Sequence, residues 1–466
     1  MSTRLSRLQR SRRPRPTLEE SLAAGRERRR SHPRSEVGDI ALAADRDPLG
    51  ILGVQNATRL EELVPLRMER MASSPFAFYR GTAGVMAADL AREPVTGIRV
   101  VSCGDAHVSN FGLYASPQRS IVFDLNDFDE AALAPWEWDV KRLVTSVIIA
   151  ATDAGADPLE ARESARLTAR AYQRALAELM RTDVLGRYYR HVEAEAAPDH
   201  PLLPKKARKD VGKDLDVALR KARRRTSDAY LRKISTRDED GTLQIVEDPP
   251  VLTHVDPALE DLAEDLFERY RTTVPADVAE LLSHYTLADV ARRVVGVGSV
   301  GTRCYILVLE DPSHAPLILQ MKEAQDSVLE TFGGIVPAGI GSAADSVRPY
   351  EGQGHRVVAS QRILQAVSDP FLGYLSAGGR DYYVRQFRDM KGSFETSDLS
   401  RASFRTYVIS CAALLARAHA QSLDAPQIAG YLGSSDTWAR AITAWAESYA
   451  AQSLADVEAL RESLGR

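Results

Sequence analysis

Two short apolar runs, residues 98–102 and 121–125, are each followed at once by a dense polar cluster. The first opens into Cys103-Gly104-Asp105-Ala106-His107-Val108-Ser109-Asn110 and the second into Asn126-Asp127-Phe128-Asp129-Glu130. Runs of this length and character read as strands, with residues 116–119 a turn between them. Carboxylates, an imidazole and amides placed directly after such runs must stand at strand ends, where a cleft or solvent can satisfy them. The fold therefore has to bring two polar strand ends together. Asp105, His107 and Asn110 on the first, and Asp124 or Asp127 on the second, are the candidate chemical groups. A polar turn capped by Asp and Asn is the common alternative. The second acidic cluster weighs against it, because carboxylate- and amide-bearing segments on adjacent strand ends are what a magnesium site needs.

At 466 residues the chain is too long for one simple core, which implies two or three folding units. Its 44% hydrophobic and 27% charged content is that of an ordinary globular protein. A net charge of −4 argues against general nucleic-acid affinity. Three dispersed cysteines, Cys103, Cys304 and Cys411, lack metal-finger spacing and leave one over after any pairing, which suggests a reducing, cytoplasmic location. No run of about 18 apolar residues is present, so no membrane span is expected. Residues 1–45 are rich in Arg, Ser and Pro with few large apolar side chains, which reads as a disordered basic tail. This tail is a candidate nucleic-acid contact, against the plainer reading of a solvated tail. Arg12-Arg13 is followed by no apolar stretch and does not read as an export signal.

Beyond the tail, residues 46–286 read as a mainly helical part carrying the polar clusters, with an insertion at about 185–250. Residues 287–391 read as a strand-rich part and 392–466 as a second helical part. The insertion holds Lys205, Lys206, Arg208, Lys209 and Arg223-Arg224-Arg225, either a solvated helix or a phosphate-binding patch. In the strand-rich part, residues 292–296, 304–310 and 316–322 have strand texture. Residues 354–366 are helix-like, and 371–375 and 382–387 are strand-like again.

Gly296-Val297-Gly298-Ser299-Val300-Gly301 is a G-x-G-x-x-G loop, a weak signal alone. In a dinucleotide-binding fold a helix would open at these glycines. Here a strand follows, and strand, glycine loop, strand is the arrangement in which a hairpin covers nucleotide phosphates. The next strand ends at Lys322, where kinases place the lysine that grips the α- and β-phosphates. Gly296, Gly298, Ser299, Gly301 and Lys322 thus form a candidate nucleotide clamp. Glu330 or Glu351 is the expected helix partner of Lys322, with Glu323 too near in sequence. Asp139, in Pro135-Trp136-Glu137-Trp138-Asp139, suits a buried acceptor that holds the first polar loop. Arg80 reads equally as a phosphate contact or a structural ion pair, and His419 as structural.

Phe76-Ala77-Phe78-Tyr79-Arg80-Gly81, the 103–112 segment, the 122–130 segment and the 135–143 segment resemble a bacterial family known as domain of unknown function 2252, from about Asp47 to near the C-terminus. Cys103-Gly104-Asp105-Ala106-His107-Val108-Ser109-Asn110 is also similar to the His-Gly-Asp-x-His-x-x-Asn motif of aminoglycoside and choline phosphotransferases, with Cys103 for the leading His. Leu415-Ala416-Arg417-Ala418-His419 resembles the helix that precedes that motif in those enzymes, yet lies more than 300 residues after Asp105. The resemblance implies an α+β, protein-kinase-like two-lobe fold whose motif order is circularly permuted. It implies an ATP- and Mg²⁺-dependent phosphotransferase with Asp105 as base, supported by His107. Asn110 with Asp124 or Asp127 would be the metal ligands, and the acceptor is undefined. A metal-dependent phosphohydrolase and a degenerate nucleotide-binding module are the alternatives.

Overall fold

The computed structural model describes residues 15–195, 205–237, 239, 241, 243–294, 296, 298, 300–337 and 352–465. The chain is an α+β protein with antiparallel sheets. Two small hairpin-like pairs lie early in the chain. β1 (Arg99–Ser102), β2 (Phe111–Ala115), β3 (Ile121–Leu125) and β4 (Ala132–Pro135) join as β1–β4 and β2–β3. The two expected strands are therefore both present but are not joined by the turn. The 116–120 turn closes β2 onto β3, whereas β1 pairs with β4 from Arg99↔Pro135 to Ser102↔Ala132.

After β5 (Ser235–Arg237) and β6 (Leu243–Ile245) comes the main sheet. β7 (Leu252–His254), β8 (Thr286–Arg293), β9 (Cys304–Glu310), β10 (Pro316–Ala324), β11 (Gly373–Ala377) and β12 (Arg380–Gln386) make six antiparallel strands in the order β11-β12-β10-β9-β8-β7. Side-chain alternation sets its two faces. Tyr305, Leu307, Leu309, Leu317, Leu319 and Met321 pack against the helices Ala263–Arg271 and Ala276–Leu282. Ile306, Val308 and Ile318 pack on the opposite side against Tyr230 and Phe387. Gln320 and Lys322 continue that second face by the period of two, so it turns from apolar to polar toward the end of β10.

The other half is helical. Helix Trp136–Asp153 is buried from Trp136 to Ala151, as expected of a helix enclosed on every side. Helices Pro158–Leu179, Arg401–His419 and Thr437–Ser463 share its core. Pro158 opens its helix at the first position, with Asp157 Oδ1 accepting from the Glu160 amide at 2.9 Å. Trp136 stacks on Tyr172 at 6.0 Å between ring centroids.

Residues 15–45 are folded where a disordered tail was expected. Thr17 and Glu20 form a capping box for helix Leu18–Glu27. A Cβ on Gly25 would lie 1.9 Å from the Gln427 carbonyl oxygen, so the two helices touch backbone to backbone. Arg29 donates to the Gly430 and Tyr431 carbonyls and Arg34 to that of Leu432, at the end of helix Ala425–Leu432. Guanidinium groups meet unsatisfied carbonyls at the negative end of a helix, which anchors a segment too polar to bury itself. Arg12 and Arg13 lie outside the described residues. In the insertion, Lys209 and Arg223 are exposed on helix Lys205–Arg223, the solvated alternative.

Candidate functional site

Strand β1 ends at Ser102, and the chain turns sharply at Gly104, whose φ of +78° only glycine adopts freely. A Cβ there would sit 2.0 Å from the Glu130 carbonyl oxygen, so the two polar loops pack directly on each other. The first loop is held by Asp139, buried in the opening turn of helix Trp136–Asp153. Its Oδ2 accepts from the Cys103 amide at 2.9 Å and its Oδ1 from the Gly104 amide at 3.0 Å. His419 Nε2 lies 3.1 Å from the same carboxylate, and its Nδ1 lies 2.8 Å from the Tyr172 hydroxyl. Burial opposes the Asp139 charge, but His419, Ser102 and the loop amides outweigh it and hold its pKa below the usual carboxylate value.

Arg142, one turn after Asp139, donates from Nε to Asp105 Oδ1 at 2.8 Å and from Nη2 to the Tyr79 carbonyl at 2.6 Å. Asp105 is 18% exposed, and its other oxygen is 3.6 Å from His107 Nε2. Burial raises the Asp105 pKa against the pull of Arg142 and Arg80. Burial also pushes the His107 pKa well down, aided by the same two arginines, which leaves a neutral imidazole beside the carboxylate. Asn110 Nδ2 donates to the Asp105 carbonyl at 2.7 Å, so the loop closes on itself and the amide oxygen stays available.

Asp127-Phe128-Asp129 crosses between the two halves. Lys322 Nζ meets Asp129 Oδ2 at 2.5 Å, and the Tyr383 hydroxyl donates to Asp129 Oδ1 at 2.6 Å. Burial works against the Lys322 ammonium, but Asp129, Tyr383 and Asp127 keep its pKa well above the usual lysine value. Among the described residues the partner of Lys322 is thus Asp129. Glu330 is half-buried elsewhere, Glu351 lies outside the described residues, and Glu323 pairs with Arg303 and Arg380. The neighbouring carboxyls are driven apart. Burial and then Asp129 raise the Asp127 pKa, while Lys322 overrides burial and lowers that of Asp129. Arg356, buried on helix Gln353–Leu364, locks the crossing by donating to the carbonyls of Asp129, Ala131 and Gln325 at 2.5–2.9 Å.

Two cavities flank this crossing. One, of about 530 Å³, is lined by Asp105, His107, Asn110, Asp127, Gly296 and Gly298 among others. The second, of about 650 Å³, is lined by Lys322, Arg385, Lys391, Asp127, Gly296 and the 386–389 segment after β12, among others. Asp127 and Gly296 belong to both. Asp124 lines neither. It is buried in β3 and accepts from the Leu125 and Ala366 amides at 2.9 Å each. Gly301, with φ +88°, packs against the Arg59 side chain, and Ser299 lies outside the described residues.

Among the described residues no three His, Cys, Asp or Glu side chains are grouped as a metal cage. Magnesium needs fewer protein ligands, because it keeps waters and is held through one or two carboxylates plus substrate phosphates. Asp127 Oδ1 is buried without a hydrogen-bond partner, and with the free Asn110 oxygen it supplies the donor type that such an ion takes.

Arg142, Asp129, Tyr383, Arg356 and Lys391 were not among the candidates. Asp129 stood in the second polar cluster without being ranked, and Arg142 carried a local signal as well, standing three residues after Asp139 on one helix face. The others contribute through contacts made across long sequence separations.

The fold and site define an α+β protein whose sheet and helical half meet over a polar cleft. Within that class, the chain belongs to the family described as "Uncharacterized protein conserved in bacteria (DUF2252)", which matches residues 59–463. No curated protein and no solved structure matches it.

Proposed function

We propose that the protein is an ATP- and magnesium-dependent phosphotransferase built on a circularly permuted, two-lobe kinase-like plan. One observation carries the reading. Lys322, on β10 after the hairpin that carries the glycine turn, reaches the 127–129 loop at 2.5 Å across 193 residues of sequence. The order along the chain supports it: a hairpin with glycines at its turn, a lysine strand, helix Gln353–Leu364, then a second hairpin, β11–β12. So does His419, which resembles a residue of the segment preceding the catalytic loop and sits against the aspartate that holds that loop.

In this reading the nucleotide occupies the 650 Å³ cavity, beside Lys322 and the segment after β12. The acceptor enters the 530 Å³ cavity over Asp105. The cavities meet at Asp127 and Gly296, where phosphoryl transfer would occur. The Asp105 carboxylate takes the proton of the acceptor hydroxyl as its oxygen bonds to the γ-phosphorus. The bond from that phosphorus to the bridging oxygen breaks, and ADP leaves with the electron pair. Arg142 fixes the orientation of Asp105, and neutral His107 packs beside it. Asp127 and Asn110 would hold magnesium, which supplies charge neutralisation at the phosphates.

The test is a thermal-shift and turnover series with ATP, GTP and MgCl₂ on the wild type and Asp105→Ala. The expected result is a magnesium-dependent nucleotide shift in both proteins, with turnover in the variant reduced about 10²–10⁴-fold. Absence of any nucleotide shift in the wild type rejects the reading.

A further inference from the structure

We propose that Arg80 is the cation that grips the transferring γ-phosphoryl group, from the side of the cleft opposite Lys322; this rests on the phosphotransferase reading. Arg80 ends helix Pro75–Gly81, which Ser74 caps through the Ala77 amide. Two neighbours fix its place. The preceding Tyr79 carbonyl accepts from Arg142 Nη2, and Arg142 Nε donates to Asp105 Oδ1. On the other side, a Cβ on Gly298 would stand 3.3 Å from the Arg80 carbonyl oxygen, so the glycine turn rests on this residue. Arg80 therefore lines the same cavity as Asp105 and His107, directly beneath the glycines.

The other cations of that cavity are already engaged. Arg67 donates to the Asn56 side chain at 2.6 Å, Arg59 to the Val300 carbonyl at 2.6 Å, and Arg380 to Glu323 at 2.9 Å. Arg80 Nε, like Arg59 Nε and Arg67 Nε, is buried with no hydrogen-bond partner, and among the described residues no carboxylate forms an ion pair with the Arg80 guanidinium, which acts on Asp105 only through space. Arg80 is half-buried, and the planar fork of a guanidinium that no carboxylate holds in an ion pair suits two phosphoryl oxygens. A cation that meets charge developing at the transferred group stabilises the transition state more than the bound substrate. The bonds made and broken remain those of the transfer itself, with Arg80 donating hydrogen bonds and exchanging no proton.

The experiment compares Kd for ADP and for a non-hydrolysable ATP analogue, both with MgCl₂, on full-length wild type, Arg80→Gln and Arg80→Lys. The wild type is expected to prefer the analogue. Arg80→Gln should bind ADP as the wild type does and lose about tenfold to hundredfold in analogue affinity. Arg80→Lys should fall between the two, and it also serves if the Gln variant does not fold. An unchanged analogue-to-ADP ratio in both variants overturns the proposal, and would be the outcome if Arg80 instead met an anion on the acceptor. Failure of the wild type to bind either nucleotide overturns the phosphotransferase reading and this inference with it.

Discussion

Asp105 faces opposing influences that make it a testable base. Burial lifts its pKa, and Arg142 and Arg80 pull it back. Its folded pKa is raised, so the carboxylate is lost as pH falls through a value above the ordinary range near 4. The acid limb of kcat/KM should therefore lie above pH 4. Arg142→Leu should move that limb to higher pH and reduce the plateau, a shift read directly from the pH–rate profile. Gly104 makes a separate prediction about stability. Gly104→Ala would force a side chain into φ +78° and onto the Glu130 carbonyl. The expected loss is about 2–5 kcal/mol, seen as a lower urea midpoint at unchanged m-value. At this scale local spacing singled out Asp105, His107, Asn110 and Asp127, and the structure places all four around one cavity. It ranked Asp124 beside Asp127, since both follow an apolar run. Only the backbone amides of Leu125 and Ala366 separate them, by occupying the Asp124 carboxylate.

Helix Trp136–Asp153 starts at the loop it supports, and Asp139 in its first turn links three segments through one carboxylate. Asp139→Ala should destabilise the protein by about 3–5 kcal/mol, because it leaves buried amides and His419 without a partner. Its pH signature follows from a lowered folded pKa. The stabilisation is complete above the ordinary aspartate value of 3.8 and is lost as pH falls through the still lower folded value. The difference in unfolding free energy between wild type and variant should shrink below pH 4, measured by urea unfolding at stepped pH. Elements with strong local pattern were legible: β9, β10 and the helix Gln353–Leu364 all lie near their expected positions. β2 was not. Its Gly112 lowers strand propensity, and the glycine is required because a Cβ there would come 2.7 Å from the Gly392 carbonyl. Strand partners were also beyond local pattern, because β1 finds β4 and not its expected neighbour.

The two halves of the molecule are joined by a shared apolar core that takes in Ala324, Val358 and Tyr383, and by buried polar contacts. Lys322 binds Asp129, Arg356 binds three carbonyls, and Ser327 and the Val328 amide bind Glu130. Arg356→Met should cost about 2–4 kcal/mol, since it strips donors from buried carbonyls. It should also weaken ADP binding, because the 126–131 loop would lose its tie to the sheet; calorimetric titration checks the second effect. The sequence by itself determined the α+β composition, the strand and helix periodicities and the residue types of the polar loops, because these depend on neighbours a few positions apart. Tertiary structure decided which strands pair, that residues 15–45 dock on the helical half, and that Asp129 takes Lys322 while Arg80 Nε has no hydrogen-bond partner among the described residues. Those outcomes depend on which charges and carbonyls burial brings within 3 Å of each other, and short-range spacing carries no record of that.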